Sequence, residues 1–295
     1  MKKIIILISI TFVVILQACS GNESKSDAYG NFEATEIIVH AEAQGKIVSL
    51  NIREGAILKK GTSVGLIDSI QLHLSKEQLR AKKQAIAARL SSIEAEADVL
   101  KEQKNTIIRE RKRIKQLLED DAATEKQLDD IEGKLKVAEK QIQAVKTQKQ
   151  AVYSELKALT KQIEQVNDKL KNCIITNPIK GRVLDKYIEI YEMVIPGKSL
   201  YKIADMETMF LRVYISGAQL PAVKLGQEVE VLYDKKREEN YSIRGTINWI
   251  SDEAEFTPKI IQTKEERVNL VYAMKVKVKN DGSIKIGMPG EVNFK

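Results

Sequence analysis

The chain has 295 residues, 30% of them charged and only 5% aromatic, with a formal net charge of +7. That length allows one to three domains, but so few large rings argue against one large enzyme core. No block of Arg interleaved with aromatics points to nucleic acid, so the mild basicity reads as a solvated surface.

Two of the charges, Lys2 and Lys3, precede an apolar run from Ile4 to Leu16 that ends in "LQAC". About 20 apolar residues are needed to cross a bilayer, so this run is too short to span one. It resembles a bacterial lipobox, in which the Cys thiol is diacylated and becomes the first residue of the mature protein. Gln17 stands where such motifs usually carry a small residue. The resemblance implies a signal peptide over residues 1–19, lipid attachment at Cys19, and a location at a membrane surface outside the cytoplasm. Two acyl chains anchor stably where one does not. Cys19 and Cys173 are the only cysteines, so a lipidated Cys19 leaves Cys173 without a disulfide partner. In "KNCIITNPI" Cys173 reads as a small core residue rather than a nucleophile.

Residues 20–36 are a polar linker, "SGNESKSDAYG", leading into the start of a barrel. Residues 37–70 then carry β-branched alternation punctuated by Gly, and residues 173–205 repeat that grammar. With Gly45 set over Gly181, the two segments align without a gap at an offset of 136 positions. Ile47 then meets Val183, Ile52 meets Ile188, Val64 meets Leu200, Ile67 meets Ile203, and Gly61 meets Gly197. Sixteen residues separate the glycines in each copy, and each Gly is expected to mark a turn that disfavours a Cβ. Tyr191 stands where the first copy has Gly55, so the second turn is expected to differ, since Tyr fits poorly at positive φ. The pair resembles the two halves of a biotinyl/lipoyl module. Carrier modules join their halves by a tight hairpin bearing the modified Lys. Here about a hundred residues replace that hairpin, so no cofactor is expected.

The insert, residues 71–172, is helical. Leu72, Leu79, Ile86, Ile93, Leu100, Ile107 and Ile114 recur every seven positions. After Leu128, one row runs Leu128, Leu135, Ile142, Lys149, Leu156, Ile163, Leu170. A second runs Ile131, Ala138, Val145, Val152, Leu159, Val166. These are the two rows of a coiled-coil seam, interrupted only by Lys149. Two such helices joined by a short polar turn must run antiparallel. The turn falls at "EDDAAT", about 118–125, with Thr124 and Gln127 spaced as a capping box. Arg113, Leu117 and Thr124 are similar in spacing to the tip motif of periplasmic adaptors that dock end-on to TolC-like outer-membrane channels. That family usually has Ser at the last position, and Thr keeps the hydroxyl.

Residues 206–295 return to short strands with one short helix, "GAQLPAVK", and suggest a small antiparallel β-barrel. The fold class is therefore α+β: a split lipoyl-like β-sandwich, an inserted antiparallel helical hairpin, and a barrel. "KLGQEVEV", "GTINWISDEAEFTPK" and "GMPGEV" resemble the barrel of HlyD-type membrane fusion proteins. "EAEFTPKIIQTKEERVNLVYAMKVKV" is most similar to the branch paired with ABC exporters.

His40 and His73 are the only histidines, and neither sits in a metal or triad pattern. Gly-rich phosphate loops are missing, and Asp120-Asp121 and Asp129-Asp130 read as solvated capping charge. Nothing implies an enzyme, a metal or nucleic acid. The resemblance implies a periplasmic lipoprotein adaptor of a Gram-negative bacterium, anchored at the inner membrane. Its partners would be an ABC-type inner-membrane transporter, a TolC-like channel and further copies of itself, six by resemblance. The alternatives are an adaptor for a proton-driven resistance–nodulation–division pump and a non-transport coiled-coil scaffold of the envelope.

Overall fold

The computed structural model describes residues 26–236, 239–256 and 270–294. The expected signal peptide, the expected lipid attachment at Cys19, and positions 257–269 of the run likened to the ABC-exporter branch lie outside the described residues. The first strand, β1 (Ala28–His40), starts inside the 20–36 segment and continues past its end.

Two stretches separated by the insert build one β module. The first supplies β2 (Gly45–Leu50), β3 (Ile57–Leu58) and β4 (Ser63–Ile67). The second supplies β5 (Ile174–Thr176), β6 (Gly181–Lys186), β7 (Met193–Val194) and the start of β8 (Ser199–Ser216). The halves exchange partners: β3 pairs with β6, and β7 with β2. Their hydrogen bonds repeat at the sequence offset. Gly55 N–H donates to the Val183 carbonyl, and Tyr191 N–H to the Ile47 carbonyl, at 2.8 and 2.9 Å. Gly61 N–H donates to Asn177, and Gly197 N–H to Ala41, at 2.8 and 2.9 Å. Each half thus satisfies main-chain groups that the other would leave bare. Ile47, Ile52, Val64 and Ile67 share one buried cluster with their counterparts Val183, Ile188, Leu200 and Ile203. Such side chains contribute roughly 1.5–3 kcal/mol each on burial.

The glycines divide into two kinds, which corrects the expectation that all four mark turns. Gly61 and Gly197 do turn, at φ 79° and 89°. Gly45 and Gly181 instead open β2 and β6, where neighbours come too close for a side chain. A Cβ at Gly181 would lie 2.4 Å from the Ala204 carbonyl oxygen, and one at Gly45 2.8 Å from Ile67 Cγ2. The Tyr191 expectation is also corrected: at φ 75° it keeps the left-handed turn that Gly55 makes at 80°.

Between the halves stand α1 (Ile70–Glu119) and α2 (Glu125–Asn172), of 50 and 48 residues. At 1.5 Å per residue each spans about 75 Å. Glu94 pairs with Lys149 at 2.7 Å, and Lys104 with Glu139 at 2.9 Å. Partners therefore descend α2 as they ascend α1, as an antiparallel pair folded about Asp121 and Ala122 requires. The inner row of α2, Ile131, Ala138, Val145, Val152 and Leu159, is buried, the last three in one cluster with Ile86 and Ile93 of α1. Lys149 occupies a seam position yet reaches sideways, its Nζ on Glu94 and 5.6 Å over the Tyr153 ring. A lone charged seam residue fixes register at a cost in stability. Lys149→Leu should accordingly raise the thermal midpoint by roughly 2–4 °C. Scanning calorimetry checks this, and a lower midpoint would show that the ion pair outweighs a continuous seam.

Past the module, β8 continues into a second unit with β9 (Glu228–Lys236), β10 (Glu239–Phe256), β11 (Leu270–Lys279) and β12 (Pro289–Asn293). The pairing order β1-β12-β9-β10-β11-β8 closes on itself through β1 and β8, so six strands form a ring with no free edge. Phe32, Met209, Leu211, Val213, Ile247 and Met274 fill its interior. The "GAQLPAVK" stretch forms only a single 3₁₀ turn, Leu220–Ala222. Because β1 and β8 belong to both units, module and ring share two unbroken strands.

Candidate functional site at the hairpin tip

The hairpin ends in five residues, Asp120 to Thr124, between the two helices. The last carbonyls of α1 are met by the turn itself. Asp121 N–H donates to the Leu118 carbonyl at 3.2 Å, and Ala122 N–H to the Leu117 carbonyl at 2.7 Å. Asp121 holds the left-handed conformation, φ 55°, that this closure needs. Gly usually fills that place, and Asp is among the few residues that tolerate it.

Thr124 starts α2 with a complete capping box. Its Oγ1 accepts from Gln127 N–H at 3.4 Å, while its own N–H donates to Gln127 Oε1 at 2.8 Å. The Thr124 hydroxyl also donates to Gln127 Oε1, at 3.2 Å. Its first structural task is therefore to satisfy orphan donors of the helix.

Arg113 and Leu117 lie one turn apart on a single face of α1. The Arg113 guanidinium donates to Glu110 Oε1 at 2.7 Å, and its side chain is 70% exposed. One bond from a group with five donors leaves most of its fork facing solvent. Leu117 is exposed too, an apolar side chain with no place in the seam. The tip thus presents a guanidinium and an apolar knob on α1, with the capped hydroxyl across the turn.

The charge around them departs from the capping expectation. Glu125 begins α2, where the positive helix end favours an acid. Asp120 and Asp121 end α1, where the dipole disfavours them and no basic residue stands in the last turn. Capping charge therefore does not explain that pair, and Asp121 is there for its backbone.

The remaining predicted residues do not gather at the tip. Gly45, Gly61, Gly181 and Gly197 belong to the module at the other end of the hairpin. Cys173 is buried beneath α2, its thiol donating to the Lys169 carbonyl at 3.3 Å. Burial, and then the nearby Asp68, push that thiol's pKa up, which keeps it protonated and inert. No cluster that could hold a metal occurs among the described residues. Nor is any described helix long and apolar enough to cross a membrane.

No protein-family model matches the chain. A UPF0194 membrane protein of Yersinia pseudotuberculosis is 24% identical over 300 residues, covering 92% of this chain and 90% of its own length. A UPF0194 membrane protein of Yersinia enterocolitica is 24% identical over 328 residues, covering 99% and 98%. Among solved structures, MacA from Actinobacillus actinomycetemcomitans superposes with a TM-score of 0.63 at 22% identity, over 90% of this chain and 76% of that one. A membrane fusion protein from Streptococcus pneumoniae R6 gives 0.52 at 14% identity, over 90% and 97%. The chain has the fold of the HlyD-type membrane fusion proteins. In this membrane fusion fold the hairpin tip is the part farthest along the rod from the module, free of contacts with either β unit.

Proposed function

We propose that the chain is a periplasmic adaptor that joins an inner-membrane exporter to a TolC-like outer-membrane channel through the tip of its hairpin. The observation that carries this reading is the hairpin. About 75 Å of paired helix leaves a small β module and returns to it, with Arg113 and Leu117 exposed at the far end. A rod of that length suits bridging better than catalysis. In this reading the exchanged halves are a lipoyl-like module, the ring is the barrel, and diacylated Cys19 holds the protein at the inner membrane. Several copies stand side by side so that their hairpins form a tube. The sequence from Glu253 to Val278, similar to the branch paired with ABC exporters, favours an ABC-type exporter as the source of energy.

Arg113→Glu and Leu117→Asp test the tip, since both side chains are exposed and neither change should disturb folding. The tagged full-length protein is crosslinked in cells, purified, and its companions identified by mass spectrometry. An outer-membrane channel should accompany the parent chain and fall at least tenfold for both variants, with thermal midpoints unchanged. Identical companions for all three chains would overturn docking through the tip and favour an envelope scaffold.

A further inference from the structure

Strand β1 loses one of its two neighbours on its way from the ring to the module. Residues 28–31 pair with β12 on one side, while β8 holds β1 on the other side as far as His40. Along residues 34–40 no described strand pairs on the side that β12 has left. Successive residues of an antiparallel strand turn their main-chain groups to opposite sides, so the uncovered groups can be named. Phe32 turns to the β12 side, where its N–H donates to the Met288 carbonyl at 2.9 Å and its carbonyl accepts from Gly287 N–H at 2.8 Å. Ala41 turns to the β8 side, donating to the Lys198 carbonyl at 2.8 Å and accepting from Gly197 N–H at 2.9 Å. Counted in twos from either residue, Glu36 and Ile38 aim their N–H and C=O out of the module.

The second sheet is open on the same flank. β5 pairs with β4 alone. The Cys173 carbonyl accepts from Ile67 N–H, and Asn177 N–H donates to the Thr62 carbonyl, so both residues face β4. The same alternation aims the main chain of Ile174 and Thr176 outward. Between the two edges lies a groove of about 330 Å³, with Val39 and His40 on one side and Ile174–Thr176 on the other. Ile38 and Ile174 are both exposed. Glu42 and Lys171 also line the groove; their charges are opposite, which leaves recognition to the main chain.

An unpaired edge is a template for a further strand, and proteins blunt such edges with Pro, Lys or short length. The module's other flank is blunted by length, since β3 and β7 have two residues each. The open stretch of β1, "ATEIIVH", has neither Pro nor Lys. A row of outward main-chain donors and acceptors is matched by an extended peptide, with alternate side chains supplying specificity. The described strands of a second copy already stand in sheets, and a channel at the tip would be about 75 Å away.

We propose that this flank is a strand-acceptor site, which takes an extended segment of the inner-membrane exporter as an added strand on β1. Alternate apolar or β-branched side chains of that segment fall into the groove beside Ile174. The choice of partner rests on the adaptor reading. A photoreactive benzoylphenylalanine is placed at position 36 or 38 of the tagged full-length protein, cells are irradiated, and the joined peptide is identified by mass spectrometry. The expected product links the chain to a periplasmic stretch of a membrane transporter, about tenfold above the same probe at position 57 on the opposite flank. Ile38→Pro deletes an N–H that the fold itself leaves unused, so it should cut the product at position 36 about tenfold with the thermal midpoint nearly unchanged. Ile38→Thr keeps the N–H and the branched Cβ, and should keep the product. Should Ile38→Pro fail to fold, the yields at 36 and 38 against 57 decide alone. A product joining two copies of this chain, equal yields at all three positions, or full yield from folded Ile38→Pro overturns the site. If a transporter still accompanies the crosslinked parent chain while 36 and 38 stay silent, the site is wrong and the adaptor stands. If no transporter accompanies it at all, the adaptor reading falls and this partner with it.

Discussion

Gly30→Ala should destabilise the six-stranded ring by about 3 kcal/mol, the upper range for an overpacked interior. Gly30 lies on β1 between Gly290 of β12 and Val213 of β8. A Cβ there would sit 1.7 Å from the Arg212 carbonyl oxygen. Main chain cannot swing aside as a side chain can, so β1 would have to part from β8 where the ring closes. The single tryptophan, Trp249, lies on β10 of that ring, so its fluorescence in a urea titration reports this unit. Gly133→Ala supplies the contrast. Gly133 is exposed on α2 with nothing within 4 Å of its Cβ position, and alanine there should stabilise the helix by about 1 kcal/mol. Equal midpoints for the parent and Gly30→Ala would refute the close approach of β1 and β8.

Asn177→Ala is expected to be as costly, about 3 kcal/mol, by a different route. Asn177 is fully buried, and its Nδ2 donates to the Lys59 carbonyl at 2.9 Å and to the Ile179 carbonyl. Its Oδ1 accepts from the Tyr201 hydroxyl at 3.0 Å. Alanine would strand the buried Tyr201 hydroxyl and take a donor from the part-buried Lys59 and Ile179 carbonyls, and each unsatisfied group costs roughly 1–3 kcal/mol, not fully additively. The same network gives the protein an alkaline limit. Burial pushes the Tyr201 pKa up to about 12, whereas in an unfolded chain it titrates near 10. Between those values the unfolded chain has lost a proton that the folded one keeps. Stability is therefore complete below about pH 10 and falls as pH rises toward 12, by up to about 2–3 kcal/mol. Tyr201→Phe should flatten that alkaline slope in urea titrations at pH 9 to 11.5, while an unchanged slope would assign it elsewhere.

Both residues escaped a reading of the sequence for physical reasons. Asn177 stands in "TNPI", which reads as a turn, and its counterpart in the first half is Ala41, so the repeat gave no hint of a buried amide. Gly30 lies in "SDAYGNFEATE", polar enough to pass for linker, because its constraint comes from a strand about 180 residues away. Local signals fared better. The heptad rows were legible because a two-helix seam repeats one contact many times, and Thr124 with Gln127 because a cap is contained in four residues. At Asp121 the helix stop was visible but not its left-handed backbone, since Gly is absent. Lys149 was visible as a fault in the seam, while its remedy, Glu94, lay on the other helix. For the tip, spacing pointed to Arg113 and Leu117, and the structure adds their exposure and the wrong-signed acids beside them.

The strand exchange also bears on how such a chain becomes folded at all. While it emerges N-terminus first, β2 and β4 have only each other and β3 has no partner, because β5, β6 and β7 lie beyond residue 173. Helices form and zip locally within microseconds, whereas joining strands across a floppy loop of a hundred residues is slow. By zipping first, α1 and α2 would turn that loop into a rigid clip that delivers Ile174 beside Leu66. The rod would then be a chaperone built into its own passenger, and weakening the seam would slow maturation of a β unit it scarcely touches.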